Sequence, residues 1–161
     1  MDYWLGLRDA SVALLTNRTS PREFQATIRA TSDPKKLSNY SAAADGLQKW
    51  LGRKKLTARS VSSQIWSFAE LEVAVAPDLV LSWPGAQAFV VKLYFSAEPL
   101  SKYKANPMLR LLEQTHGSHG TAAILDAQQC RFFNGPTLRP LDLDILLETE
   151  AASFVQIWNR V

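Results

Sequence analysis

The stretch APDLVLSWPGAQAFVVKLYFS, Ala76 to Ser96, holds two apolar runs around a Pro-Gly turn signal. DLVLSW and AFVVKLYFS are rich in β-branched and aromatic residues, and PGAQ supplies turn chemistry, so the pattern predicts a strand–turn–strand hairpin. Two charged residues punctuate it: Asp78 follows Pro77 at the mouth of the first run, and Lys92 lies within the second. Each has an ordinary structural explanation. Asp is a common strand-start or turn residue, and a lysine on an edge strand discourages sheet-to-sheet pairing. The other explanation is a site, because a hairpin of this length brings the two side chains together.

Working outward, SVSSQIWSFAELEVAVA reads as one strand whose second half alternates, with Leu71, Val73 and Val75 on one face and Glu70, Glu72 and Ala74 on the other. After the hairpin, PLSKYKANPMLRLLEQTHG predicts a helix that starts properly near Pro107. TAAILDA and QQCRFFN follow as short strands, and PLDLDILLETEAASFVQIWNRV closes with helix. The first third is helical throughout. YWLGLRDASVALL sets Trp4, Leu7, Val12 and Leu15 mostly on one side. TSPREFQATIRAT has Ser20 as N-cap, Pro21 at the first helical position and Glu23 in the capping-box position. Asp33-Pro34 interrupts, and then Tyr40, Ala43, Leu47, Trp50 and Leu51 recur at helical spacing up to Gly52. The order α-α-α-β-β-β-α-β-β-α predicts a single α/β domain, with a helical subregion over 1–58 and an α/β core over 59–161.

Composition narrows the class. A chain of 161 residues, 47% apolar and 20% charged, can bury one core. The apolar runs are too short for a membrane span, so no membrane partner is expected. MDYWLGLRDASVALL has no basic leader and carries Asp2 and Asp9, which does not suit a signal peptide, so a cytoplasmic location is the default. A single cysteine, Cys130, excludes an internal disulfide and a cysteine-based zinc site. No phosphate-binding glycine loop is present. The net charge of +3 is unevenly spread: residues 1–60 hold eleven Lys/Arg against five Asp/Glu, and residues 61–161 hold seven against ten. Lys35, Lys36, Lys49, Arg53, Lys54, Lys55 and Arg59 form the densest basic stretch, which suits salt-sensitive phosphate binding or, equally, a solvated helix face.

From Glu70 to Gly135, about 65 residues, the chain resembles the PD-(D/E)XK, or restriction-endonuclease-like, nuclease superfamily. Pro77-Asp78 stands where that family has its first acid. FVVKLYF stands where it has acid-x-Lys, Pro107–Gln114 supplies the following helix, and TAAILDAQQCRFFNG supplies the closing strands. The resemblance implies a restriction-endonuclease-like mixed central sheet of about five strands flanked by helices. It further implies a Mg²⁺ ion held by two carboxylates, with a lysine orienting or activating the attacking water. On one face of a strand, residues i and i+2 reach the same metal. Asp78 fits the first ligand and Lys92 fits the lysine. The residue two before Lys92 is Val90, which cannot ligate magnesium.

A displaced acid would restore the pair. Glu72 is the first candidate, as both metal ligand and catalytic residue, and Glu98 and Glu113 are further ones. Without such an acid the chain is a degenerate copy, catalytically weak or inactive, that binds nucleic acid such as DNA, or a protein partner or second copy of itself. An active Mg²⁺-dependent DNA endonuclease and a small interaction subunit without nucleic-acid binding are the alternatives. Lys54 and Lys55, with Lys102, Tyr103 and Lys104 of SKYKANP, are the expected nucleic-acid contacts, because cations seek phosphates and an exposed ring stacks on bases. SKYKANP also reads as a polar loop with one partly buried tyrosine. His116 and His119 in THGSHG lack a third ligand and read as a loop ending the helix. Cys130 reads as a buried strand thiol. Trp83, beside Pro84, is expected at a turn and exposed.

Overall fold

The computed structural model describes residues 2–160. In chain order these form α1 (Leu5–Leu15), α2 (Pro21–Arg29), α3 (Pro34–Leu51), β1 (Thr57–Arg59), β2 (Gln64–Phe68), β3 (Leu71–Val75), β4 (Leu79–Ser82), β5 (Phe89–Tyr94), α4 (Lys102–His116), β6 (Thr121–Asp126), β7 (Arg131–Asn134) and α5 (Pro140–Trp158). The helix starts are chemical. Ser20 Oγ accepts the Glu23 N–H at 3.2 Å while the Glu23 carboxylate accepts the Ser20 N–H at 2.7 Å, the predicted capping box. Asp33 accepts the Lys35 and Lys36 N–H groups, so Asp33-Pro34 is itself the start of α3.

Five strands make a mixed sheet in the order β1-β4-β5-β6-β7. β5 and β6 are parallel and the other neighbours antiparallel, so α4 must carry the chain from one end of the sheet back to the other. The period-2 alternation then splits the core into two layers. Leu79, Leu81, Val91, Leu93 and Leu125 face α1–α3, against Leu7, Phe24 and Leu47. Val80, Val90, Ala122 and Ile124 face α4, against Leu109 and Leu112. The first layer includes residues from both the helical third and the sheet.

α3 lies against the end of β6 with almost no clearance. A Cβ built on Gly46 would stand 1.8 Å from the Ala127 carbonyl oxygen. On the other side, α5 is clamped to α4 by Arg110, whose Nε and Nη2 reach the two Asp144 oxygens at 2.7 and 2.9 Å. Buried Asn106 of α4 also accepts the Thr137 N–H at 2.7 Å, which fixes the approach to α5.

Several expectations are corrected. QIWSFAELEVAV is two strands, because Ala69 takes φ 52° and reverses the chain; β2 and β3 form a separate two-stranded sheet. The face assignment of Leu71, Val73 and Val75 against Glu72 and Ala74 holds within β3. β1 is an additional edge strand in the basic stretch. α4 starts at Lys102, with Ser101 Oγ accepting the Lys104 N–H, and Pro107 lies inside it. The carbonyl that Pro107 leaves without a donor is that of exposed Tyr103, where water can serve. β5 is flanked by β4 and β6, so Lys92 is no edge-strand gatekeeper. Cys130 sits in the β6–β7 turn with φ 54°, half-buried. Trp83 is half-buried, its ring stacked on Phe89 with centroids 5.1 Å apart. No described helix is long and apolar enough to cross a membrane.

Two stability measurements follow. Gly46→Ala gains helix propensity yet forces a methyl into the Ala127 carbonyl, and it should destabilise by about 1–3 kcal/mol in denaturant titrations. Hydrogen bonds from Arg110 hold the Asp144 carboxyl below the usual carboxylate range. A depressed folded-state value contributes stability above the unfolded value and loses it as pH falls through the folded one. The stability gap between the native chain and Asp144→Asn should therefore be about 1 kcal/mol at neutral pH and close as the pH falls below about 4.

Candidate functional site

The β4–β5 register pairs Leu79 with Val91, Val80 with Val90 and Leu81 with Phe89, which sets Asp78, just before β4, close to Lys92. Asp78 N–H donates to the Val91 carbonyl at 2.9 Å, one residue off that register, so the regular ladder ends at Leu79. Lys92 Nζ lies 3.4 Å from Asp78 Oδ1 and donates to the Ala76 carbonyl at 2.8 Å. The hairpin thus brings the two charges together, as the spacing implied.

A third group was not expected. Arg8 of α1 places Nε 3.1 Å from the same Asp78 Oδ1, off the hydrogen-bond direction, so the contact is an ion pair. Arg8 also pairs with Asp2 and lies over the Phe95 ring at 5.9 Å. The Trp4 N–H and Arg8 together hold the Asp2 carboxyl below its ordinary value. The remaining oxygen, Asp78 Oδ2, accepts the Leu93 N–H at 2.7 Å. The Asp78 side chain is only 5% exposed. Both its oxygens are committed to donors from this chain.

The geometry does not suit Mg²⁺, which needs several oxygen ligands around one open position. Arg8 and Lys92 already share Asp78 Oδ1, and the cleft that opens on Asp78 beside Asp9 is lined by two guanidinium groups, those of Arg8 and Arg18. Val90 is fully buried among Leu109, Leu112 and Ile124, with no route to a metal. The outer side of Lys92 opens on a cleft of about 230 Å³ lined by Val73, Val75, Met108, Leu111 and Leu112, with no carboxylate. Glu72 projects instead into a groove beside α5, shared with Phe154 and Trp158. Glu98 pairs with Lys104 at 2.5 Å, and Glu113 pairs with Arg110 at 3.1 Å. Among the described residues, no group of three or more His, Cys, Asp or Glu is arranged to hold a metal.

The histidines are similarly occupied. His116 is fully buried, Nε2 donating to the Ser62 carbonyl at 2.9 Å with Nδ1 2.7 Å from Thr115 Oγ1. His119 Nδ1 lies 3.4 Å from Arg59 Nη2. The expected nucleic-acid contacts fall into two groups rather than one. Thr57 is level with Ser82, which places Lys54 and Lys55 at the end of the sheet where β5 and β6 begin. Lys102, Tyr103 and Lys104 open α4 at the other end, where the Leu100 N–H donates to Asp126. All five are exposed, Tyr103 at 77%. Lys104 is tied to Glu98, and its pKa is raised by that hydrogen bond. Lys54 Nζ turns back to the Trp50 carbonyl.

Sequence reasoning missed two residues. Arg8 gave no signal, since a lone arginine in an amphipathic helix does not announce a partner seventy positions away. Asp126, fully buried, accepts the Leu100 and Gln129 N–H groups; its signal was an acid closing the apolar run TAAIL. No protein-family model, no curated protein and no solved structure matches this chain.

Asp78 and Lys92 should not be equivalent in stability. Asp78→Ala leaves two cations facing each other and the Leu93 N–H without an acceptor, and should cost about 3–5 kcal/mol. Lys92→Met leaves Asp78 with Arg8 and Leu93 and should cost less than about 1.5 kcal/mol. Chemical denaturation of the two variants measures the difference.

Proposed function

We propose that this chain is a nuclease-like domain that does not cut and that works by binding, with nucleic acid as the ligand its basic side suits. The observation that carries this is the Arg8–Asp78–Lys92 cluster: a guanidinium stands against the carboxylate that a metal would need. The strand order supports the nuclease resemblance. A hairpin holding Asp78 and Lys92 is followed by a helix and then two further strands of the same sheet, the order of elements that the resemblance implies. Val90 in the core supports the loss of cutting.

Binding rests on the exposed cations at the end of α3 and before β1. Lys49, Arg53, Lys54 and Lys55 are exposed, and among the described residues none has a carboxylate within ion-pair distance. Such charges give affinity through counterion release, without base readout. Lys102 and Tyr103 offer a second contact at the far end of the sheet.

The native chain, Asp78→Ala and Lys92→Ala should all leave plasmid and single-stranded DNA intact in Mg²⁺ or Mn²⁺. Cleavage abolished by both substitutions would instead establish the endonuclease with a displaced acid. DNA affinity should fall steeply with salt, and replacing Lys49, Arg53, Lys54 and Lys55 by alanine should reduce the log–log salt slope by roughly two to four. No affinity at low salt would leave the interaction-subunit reading.

A further inference from the structure

The buried stripe of α5 outruns its cover. Leu143, Leu147 and Ala151 recur at helical spacing and are 0%, 9% and 3% exposed against α4 and the β2–β3 sheet. The same stripe continues through Phe154 and Trp158, which are 52% and 72% exposed. Their rings stack on each other with centroids 6.2 Å apart and 16° between planes. Ile157 beside them is 65% exposed. Phe154, Val155 and Trp158, with Leu71 of β3, wall an open groove along the last turns of the helix. A concentration of exposed aromatic and aliphatic surface of this kind is uncommon away from an interaction site.

The charge around the groove selects its occupant. Glu70 and Glu72 line it, and Glu148 and Glu150 stand on the same helix. Among the described residues none of the four has a cation within ion-pair distance, whereas Asp142 and Asp144 are answered by Arg139 and Arg110. Arg160 is the one cation between residues 140 and 160. An acidic rim repels nucleic acid and an anionic bilayer. A second copy docking by this same face would set these glutamates against their own counterparts, an unfavourable isologous contact. A cationic partner faces neither penalty.

We infer that the groove between β3 and the last turns of α5 docks a lysine- and arginine-rich amphipathic helix of a partner protein. Apolar residues one helical turn apart on the partner would enter between Leu71 and the Phe154–Trp158 pair, and flanking cations would meet Glu70 and Glu72. This is the helix-in-groove mode of recognition, with side-chain anchors giving affinity and rim charges giving specificity. It does not rest on the nucleic-acid reading, since the basic cluster at Lys49–Lys55 is separate from this acidic face.

The test is fluorescence anisotropy with a labelled amphipathic Leu/Lys peptide of about 18 residues, long enough to form helix. A Leu/Glu peptide of the same pattern and a scrambled Leu/Lys peptide serve as comparisons. The amphipathic Leu/Lys peptide should bind and the other two should not. Phe154→Ala with Trp158→Ala should weaken binding by roughly tenfold or more, as expected for aromatic anchors. Glu70→Gln with Glu72→Gln touches only exposed carboxylates, so its folding is not at issue; it should weaken binding by roughly three- to tenfold and flatten the salt dependence. No binding, or equal binding by the native chain and both variants, overturns the proposal. So does a dimer in sedimentation velocity that Phe154→Ala with Trp158→Ala abolishes, or native-chain binding to phosphatidylserine vesicles lost in that variant.

Discussion

One carboxylate holds three parts of this molecule in register. Asp78 stands at the entry to β4, and its two oxygens meet Arg8 of α1, Lys92 of β5 and the Leu93 N–H. Helix, hairpin and central strand are joined at a point where the side chain is almost sealed from water. A buried charge of this kind contributes little net stability over an apolar substitute, but removing the carboxylate itself strands every group that faces it. Its value lies in specification: a hairpin slipped by one residue would leave Asp78 facing Val91 and strand Lys92 alone. Arg8 ties the helical third to the sheet through the same carboxylate.

The cluster also shows how near a structural arrangement can come to a catalytic one. An acid and a lysine on adjacent strands are what a metal-assisted hydrolytic site needs. Here the positive charge opposite the acid is supplied by Arg8, and Asp2 balances Arg8 in turn. Two acids and two bases form a neutral set. A divalent cation added to it would meet two fixed positive charges and two carboxylates already engaged by donors of this chain.

Legibility in the sequence tracked the range of the interactions. Capping at Ser20, the β4–β5 hairpin and the closing helix were readable because they are local. The pairing of Asp78 with Lys92 was readable because a short turn fixes the separation. β1 was missed because three residues on an exposed basic edge carry no period. The β2–β3 reversal was missed because Ala69 adopts a left-handed conformation without the glycine or asparagine that usually announces it. Pro107 misplaced the start of α4, since proline favours first turns and here the helix had already formed around Ser101. Trp83 gave a solvent signal through Pro84, yet the ring turns inward onto Phe89 and Trp50. Arg8 depended wholly on tertiary contact, so the residue that decides the chemistry of the site was the least visible.

The core layer shared between α1–α3 and the sheet sets an order in time. Leu7, Phe24 and Leu47 are buried by Leu79, Val91 and Leu125, residues translated well after them. As the ribosome emits the chain, the three helices emerge first and can pack only on one another, leaving the apolar surface that the sheet covers without its cover. The wedge at Gly46 can seat only when Ala127 has appeared, and the parallel β5–β6 pair must wait for α4 to pass over the sheet. Non-local closure of that sort is slow compared with helix formation, and the interval exposes hydrophobic surface. The nascent chain is therefore most vulnerable to aggregation between completion of α3 and completion of β6.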